Sequence, residues 1–293
     1  MIRKCCLFVF IMFFAFFGWE TPGAEEMPPA EETQAEEKPL WEAGVGVAGM
    51  YLPDYRGSDE GRFYALPYPY VVYRGDIFRV DKERVSGRIF ETSRMLLDVS
   101  FYGGVPVSSD KNDARRGMPD LDPTFEVGPS LRFNLLQGDK NSYNLTLTVP
   151  VRAVFSTDFH SIHHEGWILS PRLNFDVQDI IPRTGIGLGI SAGPYFATKK
   201  YHDYYYTVDS AYATPSRPAY DSKGGYSGSS VTVGLHKQFG TSFLLNAFVS
   251  GDFMRGAEIE NSPLVTTKQS FMTGAAITWI PFVSATKVTK KTP

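Results

Sequence analysis

The chain has 293 residues, a formal net charge of −3, 43% hydrophobic residues and 21% charged residues. It has no basic surplus to drive nucleic-acid binding, and its single long apolar run is too short to cross a bilayer as a helix. Sixteen Tyr, 22 Phe and 27 Gly without low-complexity bias point to an all-β chain.

Arg3 and Lys4 precede the apolar stretch 7–17, and Pro22-Gly23-Ala24 follows it. A charged start, a short apolar core and small residues at a cut describe a signal peptide over 1–24. The competing reading, a membrane anchor, would need ~20 apolar residues. Cys5 and Cys6 are the only cysteines, so cleavage near Ala24 leaves an exported chain without disulfides. Residues 25–40 form an acidic, Pro/Glu-rich linker, six Glu against one Lys. Such a segment is a solvated spacer or an acidic tether for a periplasmic partner.

From Trp41 the hydrophobic period is two. In 143–155 the odd positions are Tyr143, Leu145, Leu147, Val149, Val151, Ala153 and Phe155, with mostly polar residues between. That places the apolar set on one face of a strand. The pattern recurs in 95–101, 125–135, 167–177, 186–196, 231–235, 243–253 and 271–279. Many of these runs match the ~9–11 residues of a tilted membrane strand. A soluble β-sandwich would alternate too, but three further features favour lipid. The faces opposite the apolar ones carry Ser, Thr, Asn, Gly and a few charges, as a polar lumen requires. Trp41, Tyr51, Tyr73, Trp167, Trp279 and Phe282 lie near strand ends, as in an interfacial girdle. Connections alternate between short (74–75, 92–93, 137–141, 179–183, 240–241) and long (53–62, 106–122, 157–164, 199–225, 257–265). The fold expected over 41–282 is a closed antiparallel transmembrane β-barrel of the outer-membrane type. Both termini are periplasmic, and a basic tail occupies 283–293. With both ends on one side the strand count is even. A break at the polar 81–85 gives twelve strands, with ten as the fallback.

Six prolines interrupt the pattern: Pro67, Pro69, Pro129, Pro150, Pro171 and Pro194. Proline cannot donate to a ladder and belongs at edges, ends or bulges. A closed barrel offers no edge, so several are assigned to bulges, helped by Gly128-Pro129 and Gly193-Pro194.

The run Pro53-Asp54-Tyr55-Arg56-Gly57-Ser58-Asp59 resembles the first-loop motif of the MipA/OmpV family of outer-membrane proteins. Leu66-Pro67 followed by Val72-Tyr73-Arg74-Gly75 is similar to that family's second strand. Gly251-Asp252-Phe253 with the 257–265 segment is similar to its last outward loop. The resemblance spans nearly all of 41–282. It implies a non-enzymatic scaffold that brings a murein hydrolase, a lytic transglycosylase, next to a murein synthase. The alternative from fold class alone is a small-solute channel.

Candidate chemistry is sparse, and no cofactor or metal is implied. His160, His163, His164 and Glu165 lie in the 157–164 loop region without the spacing of a helical zinc motif. The expected reading is a solvated loop, against adventitious metal binding or a base for Ser156 or Ser161. Arg94, Asp98, Glu126, Arg132, Arg152, Arg172, Asp176 and Asp252 lie opposite the apolar faces. Four of them are basic and four acidic. Balanced charge reads as a structural network filling the lumen, whereas a selective pore would show a surplus of one sign. Gly185, Gly187 and Gly189 share one face and leave room for long side chains opposite. The loop 199–225 carries Tyr201, Tyr204, Tyr205, Tyr206, Tyr212 and Tyr220, which suit either recognition or capping of the barrel mouth. No helix is evident.

Overall fold

The structure, a computed structural model, describes residues 37–74, 78–81, 84–87, 90–91, 95–138 and 142–289. The expected signal peptide, most of the acidic linker, the end of the basic tail and Arg94 lie outside the described residues.

Strands dominate. In chain order they are β1 (Glu37–Pro39), β2 (Trp41–Pro53), β3 (Gly61–Arg74), β4 (Phe78–Asp81), β5 (Arg84–Gly87), β6 (Phe90–Glu91), β7 (Met95–Gly104), β8 (Thr124–Gln137), β9 (Tyr143–Thr157), β10 (Ile162–Leu169), β11 (Arg172–Val177), β12 (Ile186–Ala197), β13 (Gly225–Phe239), β14 (Phe243–Phe253), β15 (Gln269–Val283) and β16 (Lys287–Thr289). Neighbours pair antiparallel from β5 through β4, β3 and β2 to β15, then down to β7 and β6. The two ends of that path, β5 and β6, are successive segments of one stretch of chain, and β5 also lies against β7. The path therefore returns on itself as a barrel. Counting β5 with β6 and β10 with β11 as single broken strands leaves twelve staves among the described residues. The expected reversal at 81–85 is the hairpin in which Asp81 pairs with Arg84.

The period-two faces separate as expected. Val45, Val47, Val231, Val233, Leu235, Leu245, Val249 and Ile277 stand exposed on the outer surface. Their inward neighbours Ala48, Ser230, His236, Asn246, Ser250 and Ala276 are buried. An exposed apolar band of this extent on a polar-lined cylinder is the surface of a lipid-embedded barrel. Trp41, Tyr73, Trp279 and Phe282 are exposed at the end that carries both termini. Tyr51 and Trp167 mark the other, loop end.

The prolines have a simpler arrangement than separate bulges. Pro129, Pro150, Pro171 and Pro194 sit on neighbouring staves at one level. Ser130 pairs with Pro150, the Ser170 amide donates to the Pro150 carbonyl at 3.3 Å, and the β12–β13 register shifts between Pro194 and Phe196. A Cβ added to Gly128 would lie 2.0 Å from the Val151 carbonyl oxygen, and one at Gly193 would lie 1.9 Å from that of Pro171. The two glycines thus let backbones close in where proline has removed a donor. Pro67 and Pro69 lie instead on β3, whose residues 61–72 have no partner on the side away from β2 among the described residues.

Two loop expectations are also corrected. The 157–164 connection is a tight hairpin, because β9 runs to Thr157 and β10 starts at Ile162. Asp158 closes it by accepting from the amides of His160 (2.9 Å) and Ser161 (2.7 Å), and these bonds hold its carboxyl down at about 2. The 199–225 loop contains a helix, α1 (Lys199–Tyr206). Its sequence, KKYHDYYY, lacks an apolar stripe of helical period. The helix is held by burial of Tyr201, His202 and Tyr206 rather than by propensity.

At the terminus end, β1 and β16 form a separate two-stranded ribbon that pairs Glu37 with Thr289, Lys38 with Val288 and Pro39 with Lys287. The backbones of the two flanking segments thus join. Arg74 fixes the ribbon's root, with an ion pair to Glu42 at 2.7 Å and a bond from Nη1 to the Pro39 carbonyl at 2.9 Å.

Candidate functional site: a plugged lumen

The lumen is a cavity of about 330 Å³. Of the charged residues expected there, Asp98, Glu126, Arg132, Arg152, Arg172, Asp176 and Asp252 all line it. Alternation brings them together, since each occupies an inward parity of β7, β8, β9, β11 or β14. Arg152 Nε pairs with Glu126 Oε2 at 2.7 Å, with both side chains less than 10% exposed. Arg152 also donates to Ser100 Oγ (3.3 Å) and Ser170 Oγ (3.2 Å). Asp252 pairs with Arg56 at 3.2 Å.

Arg56 was not among the expected lumen residues, because it belongs to the first loop rather than to a strand. The loop folds inward and lays its guanidinium 4.1 Å from the centre of the Tyr195 ring. Tyr195 projects from β12, and its hydroxyl accepts from Arg172 Nη2 at 2.7 Å. Parity could have found Tyr195, but aromatic character alone assigns it to neither face. Of the glycine triad, Gly187 pairs directly with buried His236, a long side chain opposite as expected, whereas Gly185 precedes β12.

Four loops seal the loop end around a small apolar core of their own. Tyr55, Val107, Leu121, Tyr206, Val208, Met254, Ile259 and Leu264 are buried together. Hydrogen bonds cross between loops: Tyr55 OH to Leu264 O (2.8 Å), Tyr206 OH to Arg56 O (3.0 Å) and Ser262 Oγ to Tyr206 O (2.7 Å). Arg115 is buried and donates to Tyr205 O (3.1 Å) and Pro119 O (3.2 Å). Of the two readings open for the tyrosine-rich loop, the geometry selects the cap: Tyr201, Tyr204, Tyr205 and Tyr206 pack inward on one another.

His202 is buried in this plug. Its Nε2 faces Ser227 Oγ at 2.9 Å, and its Nδ1 contacts the Lys223 carbonyl. An Nδ1–H donor with an accepting Nε2 satisfies both partners, and burial holds the imidazole pKa below its ordinary 6.5. Between those two pKa values the unfolded segment binds more protons than the folded one. The plug therefore loses stability as pH falls through that window and keeps it in full above 6.5. Protection factors of the 199–206 amides, corrected for the pH dependence of intrinsic exchange, are expected to fall on acidification through this range, and His202→Gln is expected to flatten the response. An unchanged acid response in His202→Gln would assign it to another group.

The histidine-rich segment 160–165 stays outside the lumen. Ser161 Oγ lies 2.9 Å from His163 Nε2, Glu165 accepts from Ser156 Oγ at 2.7 Å, and His164 packs edge-on to Trp167. Among the described residues no three His, Cys, Asp or Glu side chains converge as a metal would require.

The sequence model of the family described as MltA-interacting protein MipA matches residues 45–280. Outer membrane protein OmpV of Vibrio cholerae serotype O1 is 21% identical over 243 residues, covering 82% of this chain and 86% of the relative. Outer membrane protein Omp26La of Vibrio anguillarum shows the same identity and coverage. A crystal structure of an outer-membrane channel from Pseudomonas putida F1 superposes with a TM-score of 0.43 at 11% identity, covering 86% of this chain and all of that one. The family match runs from the first long stave to the last, and the chain belongs to the MipA family of outer-membrane proteins.

Proposed function

We propose that this chain is a non-enzymatic outer-membrane platform that engages a murein hydrolase (a lytic transglycosylase) and a murein synthase through the end carrying both termini, which faces the periplasm. The observation that carries the reading is the sealed mouth. Four loops spend their apolar residues on one another, which suits a body that holds partners rather than one that passes solutes. The family's description as MltA-interacting supports the choice of partners. Little else on the terminus end offers reach. The connections there are short, and the β1–β16 ribbon presents backbone edges unpaired among the described residues, a ready seat for strand addition. The acidic 25–40 segment and the basic 283–293 tail flank that ribbon.

The test is affinity capture from solubilised membranes at low salt. Deleting 25–39 or 283–293 is expected to leave the barrel assembled and to weaken capture of both murein enzymes. Added salt is expected to reduce capture further, because exposed charges are screened within ~8–10 Å at physiological ionic strength. If both deletions leave capture intact while insertions in 199–225 abolish it, the contact surface lies at the opposite end and the platform reading fails. The polar walls of the cavity favour the second reading, a channel for small solutes, which predicts steady conductance instead.

A further inference from the structure

The sealed mouth gives the lumen one blind end. Tyr55, Arg56, Tyr201 and Tyr206 of the plug roof the cavity there. From the roof it runs along the β9–β11 side to Asn144 and Asp176. Those two residues pair with each other one step before β11 ends at Val177, at the end that carries both termini. Their side chains, with those of Thr148 and Asn174 above them, are half-buried. The opposite side of the lumen is filled at that end. Tyr70, Val72, Leu244 and Ile280 are buried together, and the Tyr68 hydroxyl meets Thr278 Oγ1 at 2.5 Å. None of these lines the cavity. Counted round the staves, β9 stands six from β2, so the β1–β16 ribbon, rooted beside β2, rises across the lumen from the Asn144–Asp176 pair.

Inside this pocket one cation stands apart. Arg152 pairs with Glu126, Arg56 with Asp252 and Asp54 with Arg62. Among the described residues no carboxylate pairs with Arg172. Its Nη2 donates to the Tyr195 hydroxyl at 2.7 Å, and its Nε is buried with no acceptor. The Arg56 and Arg172 guanidinium groups lie 4.1 Å and 5.4 Å from the centre of the Tyr195 ring. Two cations thus share one ring and one carboxylate, Asp252. A buried N–H without an acceptor is costly, and the planar guanidinium fork matches a carboxylate.

The wall beside Arg172 is made of hydroxyls and amides. Thr148 pairs with Arg172 across the β9–β11 ladder. Ser191 donates to Asn174 Oδ1 at 2.8 Å, and Asn174 Nδ2 donates to Thr148 Oγ1 at 3.0 Å. Each hydroxyl oxygen has two lone pairs to offer, and an alkyl chain laid against this wall would leave them unpaired.

We propose that the lumen is a blind pocket entered from the end carrying both termini, and that it binds a small hydroxylated carboxylate, with the carboxylate on Arg172 and hydroxyl groups against Thr148, Asn174 and Ser191. At ~3.3 Å per residue, Arg172 lies about 13 Å along β11 from the Asn144–Asp176 pair at the mouth. About 330 Å³ sits at the low end of small-molecule sites, ~300–1,000 Å³, which fits a molecule of one sugar ring and excludes a long oligomer. On the orientation proposed above the mouth faces the periplasm. The site requires the sealed loop end and does not rest on the platform reading.

The test uses the full chain in lipid nanodiscs with carboxyl-labelled glucuronate as the probe, followed by NMR. Glucuronate is expected to bind saturably. Glucose, which keeps the ring without the carboxylate, and hexanoate, which keeps the carboxylate without the hydroxyls, are each expected to bind at least tenfold more weakly. Arg172→Gln is expected to weaken glucuronate binding at least tenfold. Tyr195→Phe, which removes the hydroxyl holding Arg172, is expected to weaken it less. Each variant is first checked for the faster gel migration of an unboiled barrel. In a background with Cys5 and Cys6 replaced by serine, a polyethylene-glycol maleimide coupled to Asn144→Cys is expected to block binding, and the same adduct on Tyr212→Cys at the loop end is expected to leave it intact. Equal binding of glucose or hexanoate, or full binding by folded Arg172→Gln, would overturn the carboxylate site. Full binding with the Asn144→Cys adduct in place would overturn the entrance.

Discussion

Replacing Arg152 by alanine is expected to destabilise the barrel by about 3–5 kcal/mol, the usual cost of stranding one partner of a buried ion pair. The guanidinium is 4% exposed and bonds Glu126 at 2.7 Å. It also serves Ser100 and Ser170 and lies over the Tyr102 ring. Alanine would leave the Glu126 carboxylate buried beside an empty volume. The double substitution Arg152→Met with Glu126→Leu removes both charges and is expected to recover most of the loss, since an apolar pair of similar size replaces a desolvated one. Urea titration, read as the fraction of unboiled protein that keeps barrel mobility, gives both numbers. A loss below about 1 kcal/mol for the single variant would mean that lumen water screens the pair as it would a surface one.

Tyr206→Ala is expected to cost the plug a comparable amount, about 3–5 kcal/mol. The side chain is 1% exposed at the centre of the four-loop core, donates to Arg56 O, and packs on Tyr55 and His202. The cost falls on local opening rather than on the barrel, because the staves are held by their own ladders. Exchange of the α1 amides is therefore expected to speed up by about two to four orders of magnitude, while urea unfolding of the staves shifts little. Tyr212→Ala, at the partly exposed rim of the same loop, is expected to change exchange within about 0.5 kcal/mol. If both substitutions act alike, the plug is a surface loop without a core.

Much of this architecture is legible in the sequence because lipid and lumen impose opposite demands on alternate residues. Val231, Val233 and Leu235 face out and Ser230 and His236 face in, as a period of two requires. Asp98, Glu126 and Arg152 reach the lumen by the same parity. What escaped the pattern has no period. Arg56 enters the lumen from a loop, and the loop's path is set by the distant partners Asp252 and Tyr195. Helix α1 exists because the mouth buries its tyrosines, a tertiary effect absent from KKYHDYYY itself. The prolines were misfits in strand assignments made one at a time. Pro67 and Pro69 lie on β3 outside its described pairing with β4 at Tyr73 and Arg74, and the other four make sense once neighbouring staves bring them to one level.

The account stands most directly on whether the lumen is sealed. The measurement is planar-bilayer conductance of the purified full-length protein, inserted at single-molecule density and held at voltages of both signs. The packed core of Tyr55, Tyr206, Met254 and Leu264, braced by Arg115 and Arg217, predicts silence from the native protein and open steps only from Tyr206→Ala. Steady open pores from the native protein would contradict the sealed mouth and favour a solute channel.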